Sequence, residues 1–80
     1  MSADQATPAQ TLDVTGQACP LPVIKTAKAM KELRAGQTLE VLATDPGVEP
    51  DMLAWARQTG NELLGIEQQG AVYRVLLRKA

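Results

Sequence analysis

Up to residue 60 the chain alternates strand-type with helix-type stretches, and it then places two strand-type stretches back to back across Gln69-Gly70. That order constrains the fold more than any other feature. Residues 12 to 15, Leu-Asp-Val-Thr, alternate apolar and polar and are closed by Gly16, as in a short strand. Val23, Ile24, Ala27, Met30 and Leu33 then recur at helical spacing, with Lys25, Lys28, Lys31 and Arg34 on another face and Ala35-Gly36 as the expected stop. Thr38 to Thr44 is nearly continuously apolar, which suits a central strand covered by other elements. A second helix is expected after Asp45-Pro46-Gly47, capped by Asp45, tolerating Pro50 in its first turn and stopping at Gly60. Residues 62 to 68 and 71 to 78 complete the order βαβαββ. The turn between them is too short for a crossover, so the final pair is antiparallel. The expected fold is an α/β, two-layer sandwich: a four-stranded mixed sheet with two helices on one face and a right-handed first crossover.

Eighty residues can support only one small core, and the composition says what holds it. Apolar residues make up 45% of the chain, Phe is absent, and Trp55 and Tyr73 are the only aromatics, so packing must be aliphatic. One cysteine and no histidine exclude an internal disulfide and a zinc site built from Cys and His. Such cysteine usage points to a reducing, cytoplasmic setting. Residues 1 to 10, MSADQATPAQ, have neither a basic start nor an apolar run, so they are expected to be a flexible tail ahead of a single domain at 11 to 80, with no membrane span. Eight basic and nine acidic residues leave a formal charge of −1. That balance, with so few stacking aromatics, ranks an RNA-binding module last and leaves direct nucleic-acid contact unexpected.

The single thiol sits in Gln17-Ala18-Cys19-Pro20-Leu21-Pro22. Proline fixes φ near the helical value and lacks only an N–H that a first turn leaves unpaired, so Pro20 and Pro22 fit a helix opening. Cys19 then lies at the helix N-terminal edge, where free N–H groups and the positive end of the macrodipole favour a thiolate or a persulfide anion. A lone intracellular cysteine can equally be a small core hydrophobe, and position alone does not choose between the two. The inventory narrows the chemistry. A thiol protease or acyl transferase needs a base, usually His, and a dithiol oxidoreductase needs a resolving thiol; the chain has neither. What remains is a thiol that accepts a group from one protein and gives it to another.

Leu12-Asp13 to Gly16 followed by Cys19-Pro20-x-Pro22 resembles the opening of the TusA/SirA-type sulfur carriers, whose hallmark is Cys-Pro-x-Pro at the start of the first helix. Asp45-Pro46-Gly47, Asp51-Met52, Trp55, the run Thr59 to Leu64 and the stretch Tyr73 to Lys79 resemble later blocks of the same family, so the likeness spans roughly residues 11 to 79. The resemblance implies a βαβαββ sandwich in which Cys19 takes sulfane sulfur as a persulfide from a cysteine desulfurase or rhodanese-like donor and passes it to an acceptor protein. Family pathways include tRNA thiolation, molybdenum-cofactor maturation and sulfur oxidation. Two positions depart from many relatives: Ala56 stands where a second cysteine occurs, and Asn61 where a histidine occurs.

The expected function is therefore a partner-dependent sulfurtransferase working as a monomer with no bound cofactor or metal. Cys19 is the reacting residue, and Pro20 and Pro22 shape the site. Lys25 and Lys28, next on the same helix, read as a solvated face that closeness to the thiol makes a candidate docking surface. Asp13 has no role that the sequence alone reveals, and Trp55, Met30 and Met52 read as packing. The competing class is a regulatory or adaptor domain in which Cys19 is inert.

Overall fold

The computed structural model describes residues 8–18 and 21–80. Its elements run β1 (Gln10–Val14), α1 (Leu21–Lys31), β2 (Thr38–Ala43), α2 (Val48–Thr59), β3 (Glu62–Gln69) and β4 (Val72–Arg78). This is the expected βαβαββ order. The four strands form one sheet in the order β1-β2-β4-β3. β1 and β2 are parallel, with Gln10 opposite Leu39 and Val14 opposite Ala43, while β4 is antiparallel to both β2 and β3.

Strand alternation sends Val14, Leu39, Val41, Ala43, Val75 and Leu77 to the face that the helices cover. Ala29, Met30 and Leu33 of α1 and its following turn, with Val48 and Met52 of α2, close the same core, so both helices lie on one side. Each fully buried aliphatic side chain there contributes on the order of 2 kcal/mol relative to exposure. No aromatic is fully buried among the described residues; Trp55 and Tyr73 pack half-buried against the core from its margin.

Several boundaries differ from the sequence reading, each for a local reason. Of the expected tail, residues 1–7 lie outside the described residues. Ala9 donates its N–H to the Thr38 carbonyl at 2.9 Å, and Gln10 already belongs to β1, so the parallel ladder draws in two residues more than the apolar alternation marked. α1 ends at Lys31, short of Ala35-Gly36. The amides of Glu32 and Leu33 reach back only three residues, to Ala29 and Met30 at 3.1 Å, a tightening common at helix ends. The Leu33 carbonyl takes the Lys79 Nζ at 2.7 Å, while Gly36, in a left-handed turn at φ 89°, donates to the Lys79 carbonyl at 2.8 Å. A lysine from the end of the chain thus satisfies a carbonyl that the helix leaves over.

The N-cap of α2 is Gly47, not Asp45. Pro46 and Gly47 form a turn in which the Val48 N–H reaches the Asp45 carbonyl at 3.0 Å, so the helix starts two residues later than a cap at Asp45 requires. Pro50 falls in the first turn as expected, and Gly60 stops the helix in the left-handed conformation at φ 79°, its N–H on the Ala56 carbonyl at 2.9 Å. The hairpin loop is Gly70-Ala71 with φ 60° at Gly70, the placement of glycine that a II′-type turn needs.

The buried stripe of α1 also departs from expectation. It runs Pro22, Thr26, Ala29, Met30 and then Leu33, one residue round from the Val23-Ile24-Ala27 series. Counting apolar side chains alone passed over the proline and threonine at i and i+4. Ile24 is consequently 48% exposed, while Thr26 is fully buried with no hydrogen-bond partner for Oγ1. An unpaired buried hydroxyl is a net cost. Thr26→Val is expected to raise the urea midpoint, with a gain of about 1 kcal/mol; a loss of stability would show that the hydroxyl has a partner in solution.

Candidate functional site

Parallel pairing of β1 and β2 sends the two following loops, residues 15–18 and 44–47, out at the same edge of the sheet, and each leads into a helix N-terminus. Cys19 and Pro20 lie outside the described residues. The segment that delivers them is fixed in detail. Asp13, on the exposed face of β1, accepts two hydrogen bonds at Oδ1 from the second residue on: the Thr15 N–H at 2.9 Å and the Thr15 Oγ1 at 2.7 Å. The Gly16 N–H donates to Thr44 Oγ1 at 2.8 Å, which ties the loop to the end of β2. Gly16 turns the chain at φ 80°, where a Cβ would be strained. The Gln17 N–H returns to the Val14 carbonyl at 3.2 Å, and the Leu21 N–H to the Ala18 carbonyl at 3.0 Å.

Pro22 is the second residue of α1 and is fully buried. Its missing N–H costs nothing in a first turn, and its ring holds that turn onto the sheet. Lys25 and Lys28 are exposed. Between them and the start of the helix lie Leu21 and Ile24, 45% and 48% exposed. The outward side of α1 beside the thiol segment is thus apolar as well as basic, which the misplaced apolar stripe concealed.

The two helices differ electrostatically. α2 has Glu49 and Asp51 in its first turn, whereas α1 has no acidic residue there and none from Leu21 to Lys31. Carboxylates in a first turn offset the positive end of a helix. At α1 nothing in the helix itself does so, and the attraction for an external or neighbouring anion is kept. Among the described residues, no three side chains of His, Cys, Asp or Glu converge as a metal site. A groove of about 330 Å³ opens between the helices, lined by Ala27, Met30, Lys31, Trp55, Thr59 and Lys79 among others. It lies toward the C-terminal halves of both helices, away from the loops that follow β1 and β2.

The two bonds from Thr15 hold the Asp13 carboxyl below its usual value of 3.8. Because the folded state depresses this pKa, the turn's contribution is fully present above 3.8 and declines as pH falls through that value and on through the folded one. An NMR titration should therefore show the Asp13 carboxyl titrating below 3.8, with faster exchange of the Thr15 amide as it protonates. A carboxyl that titrates at or above 3.8 would contradict the turn.

The family described as sulfurtransferase TusA matches residues 10–79. A putative sulfur carrier protein of Bacillus subtilis, YrkF, is 53% identical over 68 residues, which is 85% of this chain but 37% of that longer protein. The sulfur carrier protein TusA of Allochromatium vinosum is 42% identical over 71 residues, covering 89% of this chain and 93% of the relative. Among solved structures, the SirA-like protein of Desulfitobacterium hafniense superposes with a TM-score of 0.71 at 33% identity, over 86% of this chain and 95% of the other. No helix among the described residues is long and apolar enough to cross a membrane.

Proposed function

Since the chain belongs to the TusA sulfurtransferase family, we propose that it is a sulfur carrier whose Cys19 accepts sulfane sulfur from a donor protein and relays it to an acceptor. The observation that carries this reading is the match over residues 10–79, which includes the only thiol of the chain. The ordered loop leading to that thiol, and the first turn of α1 without acidic residues, support it.

The chemistry is balanced and needs no oxidant. The Cys19 thiolate attacks the terminal sulfur of a donor persulfide, the donor S–S bond breaks as the Cys19 S–S bond forms, and the donor leaves as a thiolate. Transfer to an acceptor thiolate is the same exchange with Cys19 as the leaving group. A helix N-terminus favours the anionic sulfur in both steps. The chain has no histidine and no second thiol, so the partners supply whatever base or resolving group the pathway requires. Donors of the cysteine desulfurase or rhodanese-like class, a protein acceptor, and a reducing cytoplasmic setting fit this role. tRNA thiolation, molybdenum-cofactor maturation and sulfur oxidation are the candidate pathways. No cofactor is needed for the exchange.

Incubation with a cysteine desulfurase and cysteine, followed by intact mass measurement, should show the gain of one sulfur atom that a reductant removes and that Cys19→Ser abolishes. An unmodified mass would favour the adaptor reading, in which Cys19 is inert.

Lys25 and Lys28 are the proposed docking cations, with Leu21 and Ile24 as the apolar surface beside them. Exposed charges act mainly on encounter rate. Lys25→Glu/Lys28→Glu is expected to slow transfer from the desulfurase roughly tenfold at low salt, less at high salt, with an unchanged unfolding midpoint. Equal transfer rates across salt concentrations would remove these lysines from the docking surface.

A further inference from the structure

Asp13 gains nothing from burial, since it lies on the exposed face of β1, yet its carboxylate is engaged just ahead of the thiol segment. Its Oδ1 takes both the N–H and the hydroxyl of Thr15. The next N–H, of Gly16, is held by Thr44 at the end of the neighbouring strand β2, and the one after it, of Gln17, by the Val14 carbonyl. Three consecutive amides are thus held by groups on β1 and in the turn just after β2. Only residues 18–20 lie in sequence between this latch and the first residue of α1, a reach of at most about 14 Å even if fully extended.

We propose that Asp13 is a positioning residue for sulfur transfer: with Thr44 it latches residues 15–17 to the parallel strand pair and so sets how Cys19 is presented at the start of α1. The inference rests on the reading of Cys19 as the reacting thiol. It extends that reading by giving the outer face of β1 a task in the reaction. Asp13 touches neither donor nor acceptor. It acts through the backbone, by accepting hydrogen bonds, so the acceptor atom matters and the charge is secondary. Thr44 supplies the matching point from the turn after β2, and the isosteric valine would remove that acceptor and release the exposed Gly16 N–H to water.

The test is the reaction of the full chain with the aromatic disulfide 5,5′-dithiobis(2-nitrobenzoate) as a function of pH, which gives the apparent pKa and reactivity of the thiol without any protein partner. Asp13→Ala and Thr44→Val are expected to raise that pKa toward the free-cysteine value and to slow the reaction near neutral pH by about fivefold. Amides of residues 16 and 17 should exchange faster in both. Asp13→Asn, which keeps Oδ1 as an acceptor, should stay within about twofold of the parent, as should Glu62→Gln on the far edge strand. A wild-type profile for Asp13→Ala overturns the proposal, and so does an Asp13→Asn profile as impaired as that of Asp13→Ala. If Asp13→Ala does not fold, Thr44→Val decides, and a wild-type profile for it is equally fatal. Failure of the parent protein to take up sulfur from a desulfurase would defeat the carrier reading but leave this thiol measurement intact.

Discussion

The parallel pairing of β1 with β2 is the constraint on which both the core and the candidate site depend. Its register sets Leu12 beside Val41 and Val14 beside Ala43, which puts their side chains under the helices together with Leu39, Val75 and Leu77. A slip of one residue would turn one strand's apolar set outward. The same slip would carry Thr44 away from Gly16 and undo the bond that ties the two loops. The packed interior and the anchoring of residues 15–17 therefore depend on the same ladder. In a domain of 80 residues without disulfide or Cys/His metal site, that economy matters, because the stability of so small a core is modest.

The two helices that start from the same edge of the sheet differ in the charge of their first turns. α2 neutralises its own N-terminus with Glu49 and Asp51. α1 places Lys28 and Lys31 in its last turn, where cations complement the dipole, and leaves its start without a carboxylate. The free energy that α1 forgoes by lacking acidic residues in its first turn, a few tenths of a kcal/mol to about 1, leaves its positive end open to an anion, as the proposed role of Cys19 requires. Its burial is divided along the same lines. Pro22 and Thr26 seat the first two turns on the sheet, while Leu21 and Ile24 stay exposed beside Lys25.

Strand and helix order was legible because it rests on local signals: alternation before Gly16, helical spacing after Pro22, and a two-residue hairpin loop around Gly70. Features set by distant partners were not. α1 ends early because Lys79, 46 positions beyond Leu33, supplies the needed donor, and no window around Lys31 shows that. The buried face of α1 was misplaced by one residue because a proline and an unpaired threonine occupy core positions that are normally aliphatic. Half of the latch was open to reading, since Asp-x-Thr is a local side-chain-to-backbone motif. The other half, Thr44 on Gly16, exists only once the β1–β2 register is known.

The two positions at which the sequence departs from many relatives take on a clearer meaning in the fold. Ala56 is buried in the third turn of α2, and Asn61 follows the end of that helix, its Oδ1 accepting the Ala80 N–H at 2.9 Å and its Nδ2 donating to Thr59 at 3.0 Å. Both lie toward the C-terminal end of α2, whereas the segment leading to Cys19 leaves the sheet at the end where α2 begins. The strands between those ends rise about 3.3 Å per residue, so five or six residues place them more than a side chain's reach apart. A thiol at position 56 would be buried, and a side chain at 61 lies beside the chain terminus, both away from the loop that follows β1. The absence of both groups fits the proposed carrier, in which a single sulfur atom reacts and its partners supply the remaining chemistry.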